Sequence, residues 1–219
     1  EEQRREKERI KRERVEQLVG WGGAQVMTFH AFGVRLLRDA AEKLGRPPSF
    51  TLFDRSDAES AIKTCLEELK LDKTQYAPRS VLEAIGTYKS RMMTPRDAAD
   101  ESVSRMEEDT AAIYARYEEL LRSSGAFDFD DLIEKSVRLL DTDPELRERI
   151  QNTFQYVLVD EYQDVNHGQH RLTKLLAARH GNLCVTGDPD QCIYGWRGAE
   201  IHYILDFPRE YPEAKVVRL

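Results

Sequence analysis

A chain of 219 residues with 40 acidic and 33 basic side chains carries a net charge of −7. That balance argues against a purely electrostatic clamp on nucleic acid, while leaving room for a groove lined by a few Arg, Lys and aromatic residues. The length allows one domain or two small ones, and no apolar run approaches the roughly 18 residues that a membrane-spanning helix needs. The three cysteines, Cys65, Cys184 and Cys192, have no metal-ligand spacing with one another or with His167, His170, His180 and His202. They read as packing residues of a cytoplasmic protein.

In chain order, Glu1 to Glu16 holds seven basic and six acidic residues and two apolar ones. Pairs such as Glu1–Arg5 and Glu8–Arg12 have helical salt-bridge spacing, so the segment reads as a solvated helix. Gly20-Trp21-Gly22-Gly23 is a loop, Gln25 to Phe29 reads as a strand, and Ala31 to Leu44 as a helix. Pro47-Pro48 marks a boundary, and from about Phe50 to Ala126 the pattern is purely helical. Ser56-x-x-Glu59 and Ser80-x-x-Glu83 have capping-box spacing. After the first of these, Ala58, Ala61, Ile62, Cys65, Leu66 and Leu69 share one face. After the second come Val81, Leu82, Ile85 and Tyr88. Thr94-Pro95 opens a long helix whose face carries Ala99, Val103, Met106, Ile113, Tyr117 and Leu120, and which Gly125 ends. Asp128, Asp130 and Asp131 fit capping and helix-dipole roles better than a metal site. Asp143-Pro144 caps a further short helix.

The most informative stretch is Val157-Leu158-Val159-Asp160-Glu161-Tyr162-Gln163-Asp164. Tyr156 to Val159 reads as a strand buried on both faces of a parallel sheet. Side chains alternate along a strand, so Asp160 and Glu161 leave its end in different directions. One can hold a divalent metal while the other meets a water, as phosphoryl transfer requires. His167 to Arg179 fits a helix with Leu172, Leu175 and Leu176 on one side. Leu183-Cys184-Val185-Thr186 reads as a second strand, running into Gly187-Asp188-Pro189-Asp190-Gln191-Cys192-Ile193-Tyr194-Gly195-Trp196-Arg197-Gly198-Ala199. Strand, helix, strand of this length is a right-handed crossover, so both strand ends lie at one sheet edge, where open parallel sheets bind their ligands. Tyr194 and Trp196 are two apart and share a face in an extended segment, which suits stacking on bases.

These residues carry a family resemblance. Asp160 to Asp164 resembles the Walker B motif of the UvrD/Rep-type superfamily 1 DNA helicases, and Gly187 to Ala199 resembles their motif III. Thr28-Phe29-His30-Ala31-Phe32 is similar to motif Ib, and Phe127-Asp128-Phe129-Asp130-Asp131-Leu132 to the segment that re-enters the first motor domain. Arg14-Val15-Glu16-Gln17-Leu18 resembles the helix that follows motif Ia, although the motif's own pattern is not present. The resemblance implies an α/β fold: a partial RecA-like parallel sheet, the first motor domain, with an inserted all-α accessory domain. Residues 1–46 and 127–219 would form the motor part and 47–126 the accessory part.

The resemblance also implies roles. Asp160 would hold the Mg2+ that accompanies ATP, Glu161 would polarise the attacking water, and Gln191 would sense the γ-phosphate. Asp188 and Arg197 would couple the ATP site to DNA. Thr28, Phe29, His30, Tyr194, Trp196 and Arg197 would contact single-stranded DNA, and Lys89 and Arg91 would reach phosphates of the single-strand/duplex junction. Neither the phosphate-binding Gly-x-x-x-x-Gly-Lys-Ser/Thr loop nor the family's glutamine motif occurs here. Position 1 is Glu, and Lys215-Val216-Val217-Arg218-Leu219 reads as a strand from which family members continue into a second motor domain. The expectation is an internal piece of an ATP-dependent 3′→5′ helicase or translocase, inactive by itself. The alternatives are a helicase-nuclease subunit and a non-catalytic module that binds DNA or protein.

Overall fold

The computed structural model describes residues 24–192 and 198–218. The readings made for residues 1–23, and for Tyr194, Trp196 and Arg197, lie outside the described residues. Residues 24–28 form no regular strand, because Thr28 already opens a helix. Its hydroxyl accepts from the Ala31 N–H at 3.2 Å, satisfying one of the donors that a helix start leaves over. Helix α1 (Phe29–Ala40) follows, tightens into a 3-10 turn (Ala41–Leu44) and stops at Gly45 with φ 65°.

The expected helical stretch is framed by two short strands, β1 (Thr51–Leu52) and β2 (Ala126–Phe127), which pair in parallel as Thr51↔Ala126 and Leu52↔Phe127. The chain therefore leaves and re-enters at neighbouring positions. Between them lie α2 (Arg55–Glu68), α3 (Pro78–Ser90), α4 (Pro95–Asp100) and α5 (Arg105–Ser123). Ala58, Ala61, Ile62, Cys65 and Leu66 form one buried face of α2, packed with Val81 and Ile85 of α3 and Tyr114, Tyr117 and Leu121 of α5. Burial pushes the Cys65 thiol up to about 11, as suits a packing residue.

Three local readings of this stretch need correction. The capping box of α2 is Asp54 with Asp57, not Ser56 with Glu59. Helix α3 starts at Pro78 without a side-chain cap, since the proline pre-sets φ and removes an orphan donor. The single long helix from Pro95 is two helices. Ser102 turns its hydroxyl onto the Ala99 carbonyl, and the Glu107 carboxylate accepts from the Val103 and Ser104 N–H groups, restarting the helix with a Ser104–Glu107 capping box. Val103 lies in the break, 91% exposed, and Met106 is exposed as well.

After β2 come α6 (Asp131–Thr142) and α7 (Pro144–Thr153), the latter capped by Asp143 as expected. Phe32, Leu36 and Leu37 of α1 join Phe127, Leu132, Leu139 and Leu140 in a second core. There α1 and α6 touch backbone to backbone: a Cβ on Gly33 would lie 2.2 Å from the Leu132 carbonyl oxygen. Alanine is the better helix former by about 1 kcal/mol. Overpacking against a rigid carbonyl costs about 1–3 kcal/mol, so Gly33→Ala is expected to lose net stability. A urea midpoint that rises instead would show that the two helices part freely.

The third core belongs to a parallel pair, β3 (Val157–Val159) and β4 (Leu183–Val185), joined through a 3-10 turn (Tyr162–Asp164) and α8 (His167–Ala177). The register is Val157↔Leu183, Leu158↔Cys184 and Val159↔Val185, which is the expected crossover. Its burial differs from expectation. Val157, Val159, Leu183 and Val185 pack with Tyr162, Val165, Tyr203 and Phe207, whereas Leu158 is 72% exposed and Cys184 is exposed too. Among the described residues, then, only one face of this pair is covered. The chain continues through a 3-10 turn (Pro189–Gln191), α9 (His202–Leu205) and α10 (Phe207–Glu210). Residues 215–218 form no strand, and Leu219 lies outside the described residues. Among the described residues no helix is long and apolar enough to cross a membrane.

Candidate active site

Strand β3 delivers Asp160 and Glu161 to the carboxyl edge of the pair, and β4 delivers Thr186, Gly187 and Asp188 beside them. The ladder continues past the strands: the Thr186 N–H donates to the Val159 carbonyl and the Tyr162 N–H to the Thr186 carbonyl, both at 2.9 Å. Asp160 Oδ1 accepts from the Thr186 hydroxyl at 2.7 Å and from the Glu161 N–H at 3.1 Å. Both acids are solvent-exposed. Below them Tyr162 is fully buried, its hydroxyl 2.9 Å from His170 Nδ1, and His170 stacks on Tyr203 at 3.9 Å. Burial pushes the His170 imidazole down to about 4, so it serves this floor as a neutral hydrogen-bonding ring.

The backbone at Glu161 is left-handed, φ 56° and ψ 45°. For a residue with a Cβ this costs about 1–2 kcal/mol, and such strain gathers where a site dictates the geometry. Glu161→Gly is therefore expected to be more stable than Glu161→Ala by about 0.5–1 kcal/mol, after allowing for glycine's greater freedom when unfolded. Urea unfolding of both variants decides it, and an alanine variant at least as stable as the glycine one would remove the strain.

A hydrogen-bonded line joins the two strand ends. Gln163 Nε2 donates to Glu161 Oε2 at 2.9 Å, and Gln163 Oε1 accepts from the Asp188 N–H at 3.1 Å. Asp188 Oδ2 in turn accepts from Gln191 Nε2 at 2.7 Å. The structure thus brings Asp160, Glu161, Asp188 and Gln191 together, as expected. It adds two residues that sequence reasoning did not assign: Thr186, which ends a strand, and Gln163, the neutral amide within an acidic run. Burial and the nearby Glu161 charge hold the Asp164 carboxyl above its ordinary range.

Of the residues expected to contact DNA, Phe29 packs against both the second and third cores. His30 stacks on the half-exposed Phe129 with centroids 3.9 Å apart. Cys192 Sγ donates to the Gln163 carbonyl and the Glu200 N–H to the Val165 carbonyl. Both flanks of residues 193–197 are therefore tied to the turn after Glu161.

The reading of Lys89 as a phosphate contact is overturned by its position. It ends α3 rather than lying between helices, is 1% exposed, and its Nζ lies 2.8 Å from each of Asp128, Asp131 and Glu118. No phosphate reaches it. Arg91 is exposed and 3.8 Å from Glu101. Asp128 and Asp131 bond reciprocally at the start of α6, Asp128 Oδ1 accepting from the Asp131 N–H at 2.8 Å and Asp131 Oδ2 from the Asp128 N–H at 3.1 Å, whereas Asp130, the N-cap residue, makes no side-chain capping bond. Among the described residues no group of three or more His, Cys, Asp or Glu is arranged to hold a metal. Asp160 beside the Thr186 hydroxyl is nonetheless the sparse oxygen donor set that suits Mg2+, which keeps most of its shell for water and phosphates.

These features define an α/β domain with its polar site at the carboxyl edge of a parallel strand pair. The model for the UvrD/REP helicase N-terminal domain family matches residues 4–212, and the chain belongs to that family. It is 44% identical over 211 residues to the ATP-dependent DNA helicase PcrA of Staphylococcus aureus (strain NCTC 8325 / PS 47), covering 95% of this chain and 29% of that protein. It is 46% identical over 209 residues to the protein of the same name from Staphylococcus epidermidis (strain ATCC 12228 / FDA PCI 1200), covering 94% and 28%. The chain spans less than a third of the length of these curated relatives.

Proposed function

We propose that this chain supplies the Walker B and motif III part of an ATP-dependent DNA helicase or translocase moving 3′→5′ on single-stranded DNA in the cytoplasm. The observation that carries the reading is the parallel β3–β4 pair, which sets Asp160 and Glu161 beside Asp188 and Gln191 at one edge. The similarity to the two PcrA helicases supports it.

In this reading residues 1–46 and 127–219 belong to a RecA-like motor domain, and 47–126 to a helical accessory domain inserted in it. The pairing of β1 with β2 supports that division, because the chain returns where it left. Asp160 holds Mg2+ with the nucleotide, which when bound neutralises developing phosphate charge. Glu161 orients and polarises the attacking water, and Gln191 meets the γ-phosphate. Asp188 and Arg197 couple that contact to the DNA side. Thr28, Phe29, His30, Tyr194, Trp196 and Arg197 grip single-stranded DNA, the aromatics by stacking, which is indifferent to sequence. Arg91 lies toward junction phosphates.

The test uses the product of the gene that encodes this chain. ATP hydrolysis is measured with and without single-stranded DNA, and strand separation on partial duplexes with a 3′ or a 5′ tail. DNA-stimulated turnover with unwinding from the 3′ tail is expected. Turnover indifferent to DNA sinks the motor reading, and unwinding from the 5′ tail alone sinks the polarity.

A further inference from the structure

We infer that Gln163 is a positioning residue that holds Glu161 in a fixed relation to Asp188 and Gln191. The inference rests on the function proposed above. Glu161 is exposed and, by itself, free to turn about its side-chain bonds. Gln163 is 1% exposed and locked by its surroundings. Its amide bonds to both strand ends, giving its N–H to Glu161 at 2.9 Å and taking the Asp188 N–H at 3.1 Å. The opposite orientation of the amide would set oxygen against carboxylate and N–H against N–H, so the assignment is forced.

The fold makes room for this bridge. A Cβ on Gly187 would lie 2.3 Å from Gln163 Oε1, so the backbone before Asp188 comes close enough only because position 187 has no side chain. Cys192 Sγ closes on the Gln163 carbonyl at 3.4 Å, tying the end of the motif III turn to the same residue. A displacement of Gln191 is thus passed through Asp188 and the Gln163 amide to the Glu161 carboxylate. The link needs a donor and an acceptor in one side chain: a carboxylate has no donor, and an alkyl group has neither.

The experiment compares wild type, Gln163→Leu, Gln163→Glu, Gln191→Leu and the Gln163→Leu/Gln191→Leu double variant in the same gene product, with Glu161→Gln as control. Gln163→Leu is expected to lower DNA-stimulated kcat by about 10–100-fold, as an ångström of misplacement does. KM for ATP and affinity for single-stranded DNA should stay within about threefold. Gln163→Glu keeps an acceptor for the Asp188 N–H but has no donor for Glu161, so it is expected to lower kcat by at least about tenfold with KM for ATP again little changed; a purely structural role would not split the two. If the line acts as one unit, the double variant is no worse than the poorer single variant. Should Gln163→Leu fail to fold, the near-isosteric Gln163→Glu decides alone. A Gln163→Leu or Gln163→Glu kcat within twofold of wild type, or multiplicative losses in the double variant, each overturn the inference while DNA-stimulated, Glu161-dependent turnover stands. A wild type without such turnover fails the proposed function itself and takes this inference with it.

Discussion

Glu161→Gln in the gene product that carries this chain is expected to reduce DNA-stimulated ATP turnover by about 10²–10⁴-fold while leaving ATP binding in place. That is the range that a positioned base contributes. The substitution is close to isosteric, and the new amide oxygen can still accept the Gln163 N–H that Glu161 Oε2 takes at 2.9 Å. Geometry is therefore held and only the charge is removed. The residue is exposed, so folding should be little affected and the loss should fall on kcat. Steady-state kinetics with single-stranded DNA give kcat and KM separately. Turnover within a few-fold of wild type would remove Glu161 from the reaction. A rise in KM with kcat intact would instead make it a nucleotide-binding group.

Lys89→Met is expected to destabilise the chain itself by about 3–5 kcal/mol, because it deletes one partner of a buried ion cluster. Lys89 Nζ lies 2.8 Å from Asp128, Asp131 and Glu118. Lys135 adds contacts to Glu118 at 2.7 Å and Glu134 at 2.8 Å, and Arg138 pairs with Glu134. Burial alone would lower the Lys89 pKa, but the carboxylates outweigh it and hold it well above its ordinary value. Burial and the neighbouring Asp131 charge push Asp128 up to about 7.

The pH dependence follows from those directions. A group whose folded pKa is raised contributes stability below its unfolded pKa and loses it as pH rises through the folded value. Without Lys89 the buried carboxyls bind protons more readily still, so the folded variant is relieved as pH falls. The deficit against wild type should then be smaller at pH 5 than at pH 8, read from urea midpoints. A loss under about 1 kcal/mol, or equal deficits at both pH values, would show that water reaches the cluster and screens it.

That lysine marks the boundary of what local signals reveal. The apolar run ending in Asp160-Glu161, the second strand before Gly187 and the helix between them were legible, because strand runs and helical faces are written within a dozen residues. The Asp143-Pro144 cap and the one-sided face of α2 were legible for the same reason. Caps were misread where several candidates compete: Asp54 wins over Ser56 at α2, and Glu107 restarts a helix that periodicity alone would carry through Val103. Those contests turn on backbone geometry a few residues away, which composition does not display.

From sequence alone came the crossover and the acids Asp160 and Glu161 at its edge, since strand order and strand ends follow from pattern and chirality; the RecA-like fold class and the roles of Asp188 and Gln191 came from the family resemblance. Only the tertiary structure decided which polar side chains are buried and what they touch. Lys89 looked like a surface cation, yet meets carboxylates 39 and 42 positions away. Gln163 was assigned no role of its own, yet bridges to Asp188, 25 positions on. A buried charge or amide is defined by partners distant in the chain, and those partners come within reach only once the cores have closed.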